Sequence, residues 1–474
     1  MSIAGVSLSW TVLAPIVALS AGGLLIMLVD LVARSAPKAL LYGIGIASCV
    51  ASFITMLPLY GQHETTLAGA FASDQFSWPF DVLLLLTLAI TFLLSSLRKS
   101  EDGTSPGSYA ALLVFCTIGG MVMAGANNLM IIFLGIEQLS LALYVLAGTG
   151  YPREASEEAA LKYVLLGSLA SGFLIFGSAL LYGSAGGIGL GALHAAAAGL
   201  GTLFIAGFAL FLVGLAFKLA LAPFHTWVPD VYEGSPLAIT GFMAVAVKAA
   251  AFAVLARIAY VVFGHDSVAL VPLWAVAILS MLVGNLGAIR QRNLKRLLGY
   301  SSIAQAGYMV VALAGVEPGG LNVLVFYLFA YALTTLGAFG VMALLGDGTD
   351  AYAELDRYRG LHFRRPWTAA AMALFFFSLA GIPATAGFYG KILLLQQGFA
   401  AGPWGIALAV TLVAGTLVSF YVYGKVVWDM YSYVEGEAPA SSGNAFAPWL
   451  AVLAGAVGTI VFGILPGTFT ILQR

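Results

Sequence analysis

Glu137, Lys162, Lys218, Lys248 and Lys391 each lie inside, or at the edge of, a run of about twenty apolar residues. A charge near the centre of a bilayer costs roughly 2.5–3.5 kcal/mol on insertion scales. Residues held at that cost commonly mark an ion or proton path, where they pair, meet water and titrate. The chemistry open to them is proton exchange. Desolvation favours a neutral amine, whereas a nearby carboxylate favours the ammonium. Moving the Glu137 charge relative to Lys218 would therefore drive the lysine's proton onward. Each charge crossing the membrane is worth about 2.3 kcal/mol per 100 mV, so uphill transfer needs energy from outside the chain.

Glu137, in IIFLGIEQLSLALYVL, and Lys248, in GFMAVAVKAAAFAVL, sit near the middle of their apolar runs. Lys218 and Lys248 are the candidate partners of Glu137, and the alanines around Lys248 leave room for water. The competing reading is a fixed ion pair that holds helices together. Lys162 follows SEEAA and could carry protons or snorkel to the interface. His225, close to Pro223 and Trp227, reads either as a proton relay or as an interfacial side chain capping broken backbone. Arg257 and Lys425 stand near the ends of their runs and read as interfacial anchors.

The elements that must hold these groups are membrane helices. Of 474 residues, 61% are hydrophobic and 9% charged, and mean hydropathy is +0.99. Soluble proteins carry about 25% charged residues, so a polytopic membrane protein is expected. The 56 glycines suit helices that approach closely in a bilayer. A net charge of −1 gives no nucleic-acid footprint. Met1–Trp10 has no Lys or Arg, unlike the basic start of a cleaved signal peptide, so the first helix is expected to be retained. Cys49 and Cys116 lie in separate apolar runs and read as buried thiols. His63, His194, His225, His265 and His362 show no metal-binding spacing, so haem, iron–sulfur and zinc sites are not expected on this chain.

Hydropathy windows of about nineteen residues place spans near 11–33, 39–60, 77–97, 108–126, 128–148, 157–182, 200–227, 237–263, 270–289, 294–315, 320–346, 367–398, 404–430 and 447–470. The fold class is thus all-α and polytopic, with about fourteen transmembrane helices. Arg34, Lys38, Arg98, Lys99, Arg153, Arg290, Arg292, Lys295, Arg296, Arg357, Arg359, Arg364 and Arg365 all fall in odd-numbered connections. The even connections hold no basic residue. The positive-inside rule then puts odd connections in the cytoplasm and both termini outside, with Arg474 on the outer side. The longest connection, 346–366, is expected to form a short surface helix or docking face, and EGEAPASSGNA (435–445) to be flexible.

Two spans carry both a helix breaker and a lysine. FKLALAPFHTW places Lys218 just before Pro223, and LAGIPATAGFYGK places Lys391 after Pro383. Proline inside a helix removes a hydrogen bond, and in lipid the freed carbonyls must find water or protein. Broken helices near the midplane are a common way to build ion sites in transporters. The seventh span runs inward with lysine first; the twelfth runs outward with proline first. Both lysines therefore lie on the outer side of their breaker, as two inverted five-helix repeats would place them. The expected organisation is an N-terminal three-helix segment (1–107), a first repeat (108–266), a second repeat (267–430) and a C-terminal helix (431–474).

LGIEQLSLALYVL, EEAALKYVLLGSLASGFLIFGSALLYG, FKLALAPFHTWVPDVYEGSP, AIRQRNLKRLLGYSSIAQAGYMVVAL and FSLAGIPATAGFYGK span roughly 128 to 400 and resemble the antiporter-like membrane subunits of respiratory complex I. The PDVYEGSP run points within them to the N-subunit branch. The resemblance implies that Glu137 and Lys218 form the charged pair of a first half-channel, with Lys248 at the connection to a second. It makes Lys391 the titratable group of that second half-channel, and matches Lys162 and His225 to a family lysine and histidine. Where some relatives carry histidine in the tenth span, this chain has Gln305, which can order water but not carry charge. The implied partners are other membrane subunits in a row, the lipid bilayer and a peripheral redox arm. NADH, FMN, iron–sulfur clusters and quinone would belong to those partner subunits and none to this chain. The implied location is a bacterial inner (plasma) membrane, and the implied function is proton translocation within a NADH:quinone oxidoreductase. The alternatives are a subunit of a multisubunit cation/proton antiporter, an inactive structural spacer, and an intramembrane enzyme such as a lipid transferase.

Overall fold

The computed structural model describes residues 2–3, 6–33, 36–98, 104–150, 153–264, 271–316, 319–346, 348–433 and 446–467. Arg34, Lys99, His265, Arg474 and the 435–445 stretch lie outside the described residues. In chain order the helices are α1 (Trp10–Val32), α2 (Lys38–Met56), α3 (Ser77–Ser95), α4 (Pro106–Gly125), α5 (Leu129–Ala147), α6 (Glu154–Ala185), the short α7 (Leu190–Ala197), α8 (Thr202–Leu219) and α9 (Trp227–Gly234). Next come α10 (Leu237–Phe242) and α11 (Lys248–Ile258), joined by a π-helical turn, Met243–Val247, and followed by a second, Ala259–Phe263. The remainder are α12 (Val271–Ala288), α13 (Leu294–Val311), α14 (Gly320–Gly346), α15 (Leu361–Arg364), α16 (Pro366–Ala380), α17 (Ala386–Ala400), α18 (Gly402–Tyr431) and α19 (Phe446–Ile464).

The protein is an all-α polytopic membrane protein. Among the described residues, twelve helices are long and apolar enough to cross a membrane. α13, whose first turn holds Lys295 and Arg296, falls outside that set, as do the short pieces α16 and α17. The spans read at 200–227 and 367–398 are each two helices with a non-helical gap, α8–α9 and α16–α17. Short antiparallel hairpins, β1 (Ser2–Ile3) with β2 (Val6–Ser7) and β3 (Glu64–Thr66) with β4 (Phe71–Ser73), were not legible from hydropathy. The 346–366 connection forms two 3-10 turns and the single-turn α15.

Most of Leu237–Phe263 and of α14 is buried, and the two make the centre of the bundle. The peripheral helices bury one face and expose another that is equally apolar, such as Leu161, Leu165, Leu169 and Phe176 on α6. Lipid tails are as apolar as leucine, so that face suits a bilayer, and helix association rests on close packing. Glycines supply it. A Cβ on Gly119 (α4) would lie 2.5 Å from the Leu139 nitrogen and 2.9 Å from the Gly135 oxygen of α5. A Cβ on Gly284 (α12) would lie 2.4 Å from the Ala304 nitrogen and 2.7 Å from the Tyr300 oxygen of α13. The two crossings have the same register from the helix starts. Both second helices also begin the same way: Asn128 caps α5 by accepting from Ile131 N–H at 2.8 Å, and Asn293 caps α13 by accepting from Lys295 N–H at 3.0 Å.

Arg257 departs from its expected role as an interfacial anchor. Its guanidinium is buried and bidentate with Asp74, Nη1 to Oδ2 at 2.8 Å and Nη2 to Oδ1 at 3.0 Å. Hydropathy could not show that the loop ahead of α3 folds back to supply a carboxylate. Lys425 is exposed near the end of α18, where an anchor belongs.

Candidate functional site

The two breaks share one backbone design. Ala220 and Gly381 sit in the left-handed region, at φ +61° and +87°. Ala220 N–H donates to Phe217 O at 3.1 Å and Leu221 N–H to Ala216 O at 2.9 Å. Gly381 N–H donates to Ser378 O at 3.0 Å and Ile382 N–H to Phe377 O at 2.8 Å. This is the paired closure of a helix C-terminus by a left-handed residue. It still leaves carbonyls at each helix end without a backbone donor, and in a bilayer those need protein or water.

Buried lysines meet them. Lys248 Nζ donates to Leu219 O at 3.0 Å, on the last residue of α8. Lys391 Nζ donates to Leu379 O at 2.9 Å and Ala380 O at 3.0 Å, at the end of α16. Only 1% of Lys248 and 4% of Lys391 is exposed. A helix C-terminus carries roughly half a negative charge, so each amine lies where a cation is stabilised. Lys248 begins immediately after the π-helical turn Met243–Val247; such turns recur at functional sites.

Lys218 has no such partner. It is 3% exposed, and its Nζ has no hydrogen bond within the described protein. Instead it lies 5.4 Å from the Tyr144 ring centre and 5.6 Å from that of Tyr163, a modest cation–π environment. Both tyrosine hydroxyls are likewise buried and unbonded. Trp227 closes the cage by stacking on Tyr163 at 4.7 Å and donating from Nε1 to Phe217 O at 3.1 Å. Three orphaned polar groups in one place are the kind of set that ordered internal water satisfies.

Glu137 and Lys218 are not in contact: no ion pair joins them among the described residues. The Glu137 Oε1 accepts from Ser171 Oγ of α6 instead. Glu137 is half-buried at the edge of an exposed α5 face formed by Met130, Leu134, Leu141 and Val145.

On α13, which packs against α9 and against the Lys391 helix α17, the buried Ser301, Ser302, Gln305 and Tyr308 recur at one-turn steps. Ser302 lies 3.3 Å from Tyr232 Oη, and Ser301 accepts from Tyr423. Gln305 Oε1 accepts from Tyr327 Oη at 2.6 Å. Tyr308 Oη accepts from Asn285 Nδ2 at 2.8 Å, and Ser419 Oγ donates to Asn285 Oδ1 at 2.6 Å. The Tyr308 ring centre is 5.3 Å from Lys391 Nζ. The polar groups form a buried strip along α13 that ends beside Lys391, and the sequence marks only Gln305 of it.

Lys162 is ion-paired rather than free. Its Nζ is 2.6 Å from both Glu158 Oε1 and Asp230 Oδ2, while Arg296 Nη1 holds Asp230 Oδ1 at 2.6 Å and Glu233 Oε2 at 2.9 Å. Beside them Lys295, assigned by sequence to a loop, is fully buried. It donates to Ser235 O at 2.5 Å and to Asp350 Oδ2 at 3.1 Å, and Asp350 also binds Arg153. These pairs tie the end of α9 to α6, to the start of α13 and to the 346–366 connection. His225 lies in the gap after α8, half-buried, with its Nδ1 unbonded.

Comparison with known proteins agrees with this geometry. Residues 126–417 match the model of the family described as NADH:quinone oxidoreductase/Mrp antiporter, TM. NADH-quinone oxidoreductase subunit N 1 of Symbiobacterium thermophilum is 40% identical over 99% of this chain and 98% of its own. Subunit N of Chloroflexus aggregans is 39% identical over 98% and 96%. A chain of respiratory complex I from Thermus thermophilus superposes with TM-score 0.83 at 35% identity, covering 97% of this chain and 99% of that one. A chain of the Mrp complex from Dietzia sp. has the same TM-score at 23% identity, which is a likeness of fold. Near-complete coverage at these identities places the chain in the family of NADH-quinone oxidoreductase subunit N.

Proposed function

We propose that this chain is a proton-translocating membrane subunit of a NADH:quinone oxidoreductase, set in a bacterial inner membrane with both termini outside. Other membrane subunits pack beside it, and NADH, FMN, iron–sulfur clusters and quinone do their chemistry in partner subunits. This chain contributes no redox step. The observation that carries the reading is the pair of buried lysines, Lys248 and Lys391, bonded to the carbonyl ends of two broken helices.

Those bonds suit a group that titrates. Lys391 donates two hydrogen bonds, and a neutral amine still has two N–H groups and gains a lone pair. Losing its proton therefore leaves both carbonyls satisfied and frees an acceptor for the next proton. Lys248 needs only one such bond. Lys218, with no fixed partner, responds most freely to charge movement nearby. When Glu137 is ionised and close, the ammonium is favoured; when its charge is drawn off, the proton moves on.

The intended route runs from Lys218 to Lys248 and along the α13 strip to Lys391, with water between. Gln305, bonded to Tyr327, orders that water. Lys162 and His225 lie at the inner end: Lys162 positions Asp230, and His225 relays protons at the break. The matching α4–α5 and α12–α13 crossings, the matching caps and the matching breaks support two inverted five-helix repeats, 108–266 and 267–430, after a three-helix segment and before a C-terminal helix. That arrangement counts fourteen spans.

Lys218→Ala and Glu137→Ala in the assembled complex test this. NADH-driven acidification of inverted membrane vesicles should fall, with coupled quinone reduction impaired and assembly retained. An unchanged proton-to-electron ratio in both would contradict it.

A further inference from the structure

The N-terminal segment holds a buried acid that the route above does not use. Asp81, one turn into α3, is 8% exposed, and its Oδ1 has no hydrogen-bond partner. Two charged groups act on it, Asp74 and Arg257. Arg257 commits both terminal nitrogens to Asp74, and Nη2 also donates to Ala124 O at 2.9 Å. Its Nε is buried and unbonded. One guanidinium thus faces two carboxylates, has neutralised one, and leaves an unused N–H in the neighbourhood of an unused carboxyl oxygen. Leaving a buried polar atom unpaired is unfavourable. Two such atoms, on the packed helices α3 and α11, mark a place for exchangeable hydrogen-bond partners.

The cluster is joined both to the interior and to the surface. Arg257 lies on α11, the helix that begins at Lys248, and nine residues of helix rise by about 13.5 Å. In the other direction Asp74 Oδ2 is 3.7 Å from Nδ1 of His63, whose side chain is 73% exposed. His63 and Asp74 flank the β3–β4 hairpin, on the side assigned above to the outside.

We propose that Asp81 is a proton-release group at the outer end of the Lys248 helix, holding its proton as the neutral acid between transfers. This rests on the proton-translocating reading. Asp74 occupies both terminal nitrogens of the guanidinium, and a neutral Asp81 acid needs no counter-ion. A proton arriving from the Lys248 ammonium through water protonates the Asp81 carboxylate, leaving a neutral amine behind. Release reverses the bookkeeping: the Asp81 O–H gives its proton to water on the His63 side, and the new carboxylate takes the free Arg257 N–H. Asp74 and Arg257 are the charged groups facing it, and His63 reaches it only through Asp74.

The assembled complex carrying Asp81→Asn, with Asp81→Glu beside it and Lys218→Ala as control, decides the matter. Infrared difference spectra of the wild type under turnover should contain a carboxylic-acid C=O band that is lost in Asp81→Asn and shifted in Asp81→Glu. The proton-to-electron ratio should drop in Asp81→Asn and recover in Asp81→Glu. If Lys218→Ala abolishes pumping while Asp81→Asn pumps normally, the assignment of Asp81 is wrong and the wider reading stands. If Asp81→Asn does not assemble, a wild-type spectrum with no band that shifts in Asp81→Glu overturns the assignment by itself.

Discussion

At the residue scale, the useful signal was chemical type against background. Lysines 218, 248 and 391 were legible because nothing in an apolar run hides an ammonium. What they touch was not legible, since backbone carbonyls carry no sequence label. Lys295 was missed because it begins a helix among other basic residues, where an exposed loop lysine looks the same. Lys391→Ala should stop proton transfer through the second half and leave Leu379 and Ala380 carbonyls unbonded. Lys391→Arg should retain the bonds and still fail, because a guanidinium does not deprotonate; pumping normalised to NADH oxidation separates the two effects. The Asp74–Arg257 pair gives a pH prediction of another kind. Burial raises the Asp74 carboxyl, but the bonds and charge of Arg257, with the Ser77 N–H, outweigh it and hold it below the usual carboxylate value. A carboxylate depressed in the folded state adds stability above its unfolded value, near pH 4, that is lost as pH falls through the folded value. Thermal unfolding of Asp74→Asn in the complex should therefore differ from wild type at pH 7 and converge with it in acid.

At the element scale, hydropathy located the helices because each must span the same thickness, and the prolines located the breaks. The π-helical turns around Lys248, the short α7 and the hairpins escaped because they change neither hydropathy nor helix length. Ala220 and Gly381 do the same backbone work with different residues. A left-handed alanine costs about 1 kcal/mol relative to glycine, so Ala220→Gly should raise the thermal midpoint slightly. Gly381→Ala should lower it by more, since its φ is +87° and the new Cβ would lie 3.0 Å from Lys391 Cδ. It should also disturb pumping, because the lysine must shift. A valine at Gly119 or Gly284 would meet facing backbone and should reduce the amount of assembled complex, read on native gels.

At the scale of the whole molecule, the buried centre and the apolar flanks have different jobs. The polar strip along α13 lies inside the bundle, while Glu137 stands at its edge among exposed leucines. A half-buried carboxylate on an apolar flank is costly against lipid, and far less so against another membrane subunit. Leu141→Arg, on that face, should block incorporation into the complex, whereas Leu417→Arg, on an exposed part of α18, should be milder. The orientation rests on the basic connections, and labelling of an introduced cysteine beside His63 from the outer side checks it.

A hydrated row of amines at mid-depth would carry the protons. An electron-microscopy map of the intact complex, sharp enough to show ordered water, tests it most directly. Waters should bridge Lys218 to the Tyr144 and Tyr163 hydroxyls, continue past Lys248 and Gln305, and reach Lys391. Close, dry packing between those side chains would contradict the account.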